Sequence, residues 1–137
     1  MQVKIVSQKV TKVYVEVLVL GFFQNVKPIQ GLAAEIDWLY HGIISHLLKL
    51  EKMSGALGEM TLLATYEKLP TPKALFMGLG EAGRYNTTIL NNLLPVLFDT
   101  LRALQVQSVA LELWGMAGCD LELSAGLDAL LKCKQSL

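Results

Sequence analysis

The sequence predicts one α/β domain of three layers, with helices on both sides of a mixed β-sheet. Two patterns support this fold class. Short runs of β-branched and other apolar residues, typical of buried strands, alternate with longer segments in which apolar residues recur every three or four positions, as on one face of a helix. The length of 137 residues fits a single domain spanning residues 1–137.

The first half of the chain contains the most apolar strand. Val3 to Ser7 is a short strand candidate, and Val13 to Phe23 is predicted as a strand buried on both faces because it is nearly continuous in apolar residues. From Gly31 to Lys49 the apolar residues follow helical spacing. We expect Gly42 to divide this helix into two pieces.

The second half repeats both patterns. It contains predicted strands at Met60–Tyr66, Lys73–Leu79 and Gln107–Trp114, and predicted helices at Thr87–Leu104 and Leu123–Lys134. Asn86 or Thr87 can cap the first of these helices, because both side chains accept hydrogen bonds from free backbone amides. Pro95 lies inside that helix, so it must kink the helix or leave the carbonyl of Asn91 without its usual bond.

Charge and hydropathy exclude several classes of function. Lysine plus arginine number 12 and aspartate plus glutamate also number 12, so the formal net charge is zero. This balance argues against nucleic-acid binding on a broad basic face and against a polybasic membrane clamp. Hydrophobic residues make up 53% and charged residues 18%, below the usual charged fraction of about 25%. The apolar surplus argues against disorder and predicts a surface that meets another protein.

Cysteine usage and the first residues predict a cytoplasmic protein. Two cysteines, Cys119 and Cys133, are too few for a disulfide framework, so we expect a reducing compartment. The start has no basic segment followed by a long apolar segment, so a signal peptide is not expected. The longest apolar stretch near the start, Val17 to Phe23, is too short to span a bilayer.

One glycine motif has the context of a phosphate-binding loop. Gly78, Gly80 and Gly83 form a G-x-G-x-x-G pattern between a predicted strand and a predicted helix, and Arg84 follows. Three features weigh against a dinucleotide site: the helix begins at Asn86 or later, no acidic residue lies about 20 residues further on, and the motif lies in the middle of the chain instead of in the first βαβ unit. A sharp turn that needs glycine is the favoured interpretation of the motif. For Arg84 and Tyr85, which follow it, capping of the loop is favoured and anion binding is the alternative.

Other polar and aromatic residues predict neither catalysis nor a metal site. Asp37 and His41 lie four residues apart on the predicted helix, but His46 points away from them, so three ligands do not converge. We expect no cofactor. Four bulky residues are interpreted as packing groups, with interface anchors as the alternative: Trp38, Tyr40, Trp114 and Met116.

Seven stretches occur in a characteristic order along the chain: Val19–Phe23, Gly31–Asp37, Gly42–Leu48, Lys52–Glu59, Met60–Ala64, Leu75–Gly80 and Ser108–Leu111. In this order and spacing the chain resembles the N-terminal domain of the leucyl (cytosol) aminopeptidase family, from about Val13 to Leu131. The resemblance implies a macro-domain-like form of the three-layer fold, with a mixed β-sheet flanked by helices.

The resemblance also implies a non-catalytic domain. In that family the active site lies in a separate C-terminal domain, where lysine, aspartate and glutamate residues hold metal ions. The Asn-Thr-Asp-Ala-Glu-Gly-Arg signature of that domain and its metal-binding lysine segment do not occur in this sequence, so no catalytic or metal-binding residue is carried over. The leading hypothesis is an interaction or regulatory domain that forms a homo-oligomer or binds a peptidase.

The macro-domain-like fold implies an alternative function, the binding of an ADP-ribose-like or nucleotide ligand. Macro domains hold their ligand with a strand that ends in aspartate, a glycine-rich helix entry and a later glycine-rich phosphate loop. The analogous places here are Gly21–Asn25, which lacks the aspartate, Gly31–Ala34, and Trp114–Gly118. The candidate ligand-binding residues come either from the glycine motif, Gly78, Gly80, Gly83 and Arg84, or from the last of these segments, Gly115 and Gly118.

Overall fold

A computed structural model describes residues 2–5, 12 and 14–111. The predicted helix Leu123–Lys134 lies outside these residues. The described elements, in chain order, are β1 (Gln2–Ile5), β2 (Val17–Phe22), α1 (Gly31–Leu39), α2 (Ile43–Lys49), β3 (Met60–Ala64), β4 (Lys73–Gly78), α3 (Thr87–Ala103) and β5 (Ser108–Leu111). This order confirms the predicted alternation of strands and helices.

The five described strands form one mixed sheet in the order β1-β5-β2-β4-β3. Four of them run parallel, and β3 pairs antiparallel with β4 at one edge. β2 is central, with β5 on one side and β4 on the other, so its side chains are covered on both faces. This position explains why its sequence is apolar without alternation.

Helices cover both faces of the sheet and give it two hydrophobic cores. Alternate residues of the central strands point to opposite faces, so Val17 and Val19 contact the α3 side while Leu18 and Leu20 contact the α1–α2 side. On the α3 side, Leu97 and Phe98 are fully buried. The predicted three-layer α/β class is therefore confirmed.

The long helix predicted from Gly31 to Lys49 is divided as expected. Gly42 has a φ of 83° and precedes α2, a backbone conformation that glycine adopts without steric cost. The carboxylate of Asp37 then stabilises the start of α2, because its Oδ1 accepts hydrogen bonds from the amides of Ile44 and Ser45 at 2.8 and 3.1 Å.

The helix α3 begins and continues as the sequence predicts. The side chain of Asn86 caps it by accepting a hydrogen bond from the amide of Ile89 at 2.9 Å. Pro95 lies inside the helix on its exposed side. There, solvent can hydrate the carbonyl of Asn91 that proline leaves without a helical partner.

Three strands are shorter than predicted: β4 by Leu79 alone, and β2 and β3 by more. β2 begins at Val17 because Glu16 makes side-chain hydrogen bonds in place of backbone pairing with the neighbouring strand. The amide of Glu16 donates to the Ser108 hydroxyl, and its carboxylate accepts from the amide of Gln107. β3 ends at Ala64 because Tyr66, which follows closely, has a φ of 46° and turns the chain.

A loop of residues 53–59 lies against the end of β4. The carboxylate of Glu59 holds this 53–59 loop, because Oε1 accepts from the amides of Ser54 and Gly55 and Oε2 accepts from the Ser54 hydroxyl. Partial burial raises the pKa of Glu59, but these hydrogen bonds outweigh it and lower the pKa overall. The Cα of Gly78 faces the same loop, and a Cβ there would lie 2.0 Å from the carbonyl oxygen of Ala56.

We expect Gly78→Ala to lower the free energy of unfolding by about 3 kcal/mol or more, because the added methyl group must displace backbone of the 53–59 loop. Urea unfolding measures this change. Gly83→Ala is the matched control, since a Cβ at that position meets nothing within 4 Å. Equal stability of the two variants would contradict the close approach.

Glu59→Ala is expected to cost about 2 kcal/mol at neutral pH, because two backbone amides lose their acceptor. Since the folded-state pKa is lowered, this contribution is present above the unfolded pKa of about 4.3 and is lost as the pH falls through the folded value. Unfolding curves at neutral and acidic pH test it, with the exposed Glu35→Ala as control. A difference that does not shrink on acidification would refute the carboxylate's role.

Candidate functional site

The candidate site lies where β2 and β4 end side by side. These parallel strands pair with Phe22 opposite Gly78, so the loops that follow them leave the same edge of the sheet. The loops are joined by two backbone bonds: Leu79 donates to the Phe22 carbonyl, and Gln24 donates to the Gly80 carbonyl. Ligands of α/β sheets bind at such carboxyl edges, so this is where a nucleotide would be sought.

Gly78 and Gly80 are engaged within the chain. The amide of Gly78 donates to the carbonyl of Glu59 at 2.7 Å, and the amide of Gly80 donates to the carbonyl of Gly55 at 2.9 Å. Both glycines are buried. In this conformation neither amide is available to a phosphate, and the absence of side chains serves close contact with the 53–59 loop.

Gly83 and Arg84 lie in a short 3-10 helix, Ala82–Arg84, and both are exposed. The guanidinium Nε of Arg84 lies 3.2 Å from the Oε2 atom of Glu81, and both side chains extend into solvent. Such an exposed pair contributes little to stability. Arg84 is therefore held loosely and is accessible to an anion.

The side chain of Asn25 is a contact that the sequence reasoning missed. Its Oδ1 accepts a hydrogen bond from the amide of Ala82 at 2.9 Å and so ties the loop after β2 to the loop after β4. A polar residue soon after a buried strand was the available signal.

Gly115 and Gly118 lie outside the described residues, and so do Trp114, Met116, Cys119 and Cys133. Among the residues that the structure describes, no group of three or more histidine, cysteine, aspartate and glutamate side chains is placed to hold a metal ion. Asp37 is occupied at the start of α2. Within the same described part, no helix is both long and apolar enough to cross a membrane.

The prediction that Trp38 is a packing group is wrong. Its side chain is 83% exposed at the end of α1, because the helix turns its buried face, Ala33 and Ile36, toward the sheet. Beside Trp38 is an open concave surface of about 590 Å³, which His41 and Gly42 also line. Asp37 precedes Trp38 and Leu39 follows it, so its neighbours in the sequence did not settle whether the indole is covered.

Tyr40 does pack, beside a second cavity of about 440 Å³ between the α1–α2 layer and β3. Its hydroxyl donates to the carbonyl of Thr65, and partial burial raises the pKa of the phenol, so it remains a neutral donor. The ammonium group of Lys68 lies 5.8 Å from the centre of the Tyr40 ring and donates to the Leu39 carbonyl. Isoleucine, leucine and phenylalanine residues make up half of the lining of this cavity.

Comparisons with known structures agree with the fold. The macrodomain of Mycobacterium tuberculosis DarG superimposes with a TM-score of 0.78 at 17% identity, over 98% of this chain and 91% of that one. A Trypanosoma brucei macrodomain in complex with ADP gives a TM-score of 0.76 at 12% identity, over 98% of this chain and 56% of that one. At these identities the likeness shows a macrodomain-like fold.

Sequence comparison identifies the family. The model of the cytosol aminopeptidase family, N-terminal domain, matches residues 19–125. A probable cytosol aminopeptidase of Alkaliphilus metalliredigens is 24% identical over 116 residues, which are 85% of this chain and 23% of the relative. This chain thus spans less than a quarter of the length of that curated relative. With strands, helices and family model in agreement, the chain belongs to the cytosol aminopeptidase family, matching its N-terminal domain.

Proposed function

We propose that this chain is a non-catalytic interaction domain that acts by self-association or by association with a peptidase. Its family membership supports a peptidase context. The match is to the N-terminal domain, and the family's catalytic signature does not occur in the sequence. We expect it to act in the cytoplasm, in keeping with relatives named cytosol aminopeptidases.

The observation that carries this proposal is the uncovered indole of Trp38. Tryptophan is enriched among the residues that dominate binding energy at protein interfaces. The concave surface beside it gives a partner side chain room to enter. Ala34, Trp38 and Leu39 give this surface an apolar lining beside Asp37 and His41. The Asp37 carboxylate already accepts hydrogen bonds from the amides of α2.

We expect Trp38→Ala to weaken binding to the cytosol aminopeptidase of the same cell by about 30-fold, which corresponds to a truncated interface anchor of about 2 kcal/mol. Sedimentation velocity of the chain mixed with that enzyme measures the effect. Tyr14→Ala is the control, because Tyr14 is also an exposed aromatic, at 77%. No co-sedimentation of the unaltered chain would contradict association with the peptidase, and equal loss in both variants would contradict the role of Trp38.

A second candidate function, nucleotide binding, is favoured by the structural likeness to a macrodomain solved with ADP. The accessible guanidinium of Arg84 supports it, since arginine pairs well with phosphate. The engaged amides of Gly78 and Gly80 weigh against it. On this hypothesis the remaining phosphate contacts come from Gly83, Gly115 and Gly118.

We expect ADP and ADP-ribose to leave the melting temperature unchanged, as the interaction-domain proposal requires. A nucleotide site filled at 100 times its dissociation constant would add about 2.7 kcal/mol and raise the melting temperature by several degrees. Arg84→Ala tests whether such a rise comes from binding at the candidate site, and Arg102→Ala is the matched control. Both arginines form exposed ion pairs with an acid three residues earlier. A rise abolished by Arg84→Ala alone would establish the nucleotide function instead.

A further inference from the structure

The strand β3 lies at an edge of the sheet. It pairs with β4 on one side, and within the residues that the structure describes no strand pairs with its other side. An edge strand presents a row of unpaired backbone amides and carbonyls, which is a template for another strand.

The ladder shows which groups face outward. Glu59 accepts from Gly78 and Thr65 donates to Pro72, and both contacts fit the β3–β4 register. Because antiparallel pairs alternate between bonded and non-bonded, odd-numbered residues of β3 exchange bonds with β4. The amides and carbonyls of Met60, Leu62 and Ala64 therefore point away from the sheet.

The side chains of β3 do not protect its edge. Its sequence, Met-Thr-Leu-Leu-Ala, has no charged residue and no proline, although charges and proline are the usual protection of an edge strand. The preceding acid, Glu59, turns its carboxylate back to the 53–59 loop. Leu62, at the middle of β3, is 41% exposed.

The outward groups are complementary to those of a second copy. In an antiparallel register centred on Leu62, that residue pairs with Leu62 of the second copy, and Met60 pairs with Ala64 in both directions. All three outward residues then exchange backbone bonds, and no charged side chain faces another. The two-fold axis is perpendicular to the sheet, so the α1–α2 layers lie on the same side.

The cavity of about 440 Å³ continues this edge. Exposed residues at its mouth include Ile43 and Tyr66. Leu62 also lines the cavity, but its side chain alternates with that of Leu63 and points to the α3 side of the sheet. A second copy in this register brings the same apolar mouth alongside, so each copy covers the other's. The formal net charge of zero means that two copies do not repel.

We propose that this chain forms a two-fold dimer by antiparallel pairing of its β3 edges, which joins two sheets into one. The inference rests on the self-association part of the proposed function and does not use Trp38. The partner is a second copy because the register, the neutral edge and the cavity mouth are each self-complementary.

Light scattering over a concentration series tests the dimer. The unaltered chain is expected to approach twice its monomer mass, and Leu62→Lys is expected to raise the dimer dissociation constant about tenfold or more, because pairing would bury a charge. Val96→Lys is the matched control, since Val96 is 48% exposed on α3. Unchanged circular dichroism and thermal unfolding establish that Leu62→Lys folds.

Amide hydrogen exchange locates the contact. The amides of Met60, Leu62 and Ala64 are expected to exchange more slowly as concentration rises, and Leu62→Lys is expected to remove this dependence. A monomer at the highest concentration overturns the dimer, and a monomer with protected edge amides indicates a different covering strand. A dimer insensitive to Leu62→Lys also overturns it. If the chain is monomeric but still binds the aminopeptidase through Trp38, the dimer fails and the proposed function stands.

Discussion

Gly78 ends β4 with an α-carbon that lies against the carbonyl of Ala56, in space that any other side chain would fill. This close approach lets the 53–59 loop lie along the carboxyl edge of the sheet. Glu59 then holds the loop from within, with its carbonyl on the Gly78 amide and its carboxylate on Ser54 and Gly55. The loop, the end of β4 and the turn that follows are therefore one hydrogen-bonded unit.

The hydrogen bonds of this unit change the interpretation of the glycine motif. In a phosphate-binding loop, glycine brings free backbone amides close to an anion. Here the amides of Gly78 and Gly80 donate hydrogen bonds to other backbone carbonyls, and the Asn86 side chain caps the helix that follows. A macrodomain-like fold can thus keep its glycines for packing, and likeness of fold is by itself a weak basis for assigning a ligand.

Within the described part of the chain, apolar side chains form two cores and are also exposed at two surfaces. The cores lie on opposite faces of the sheet. The surfaces are the end of α1, where Trp38 is exposed, and the β3 edge with its cavity. The match covers 23% of the relative's length, and under the proposed function these surfaces are where the chain meets a second copy or a peptidase.

The sequence by itself determined the elements whose causes are local. Helical spacing, the break at Gly42 and the cap at Asn86 depend on neighbouring residues, and the continuous apolar run of β2 indicated a central strand. Tertiary structure alone decided the strand order, the contact of Gly78 with Ala56 and the exposure of Trp38. Each of these depends on contacts between residues far apart in the chain, and the local spacing of residue types does not specify such contacts.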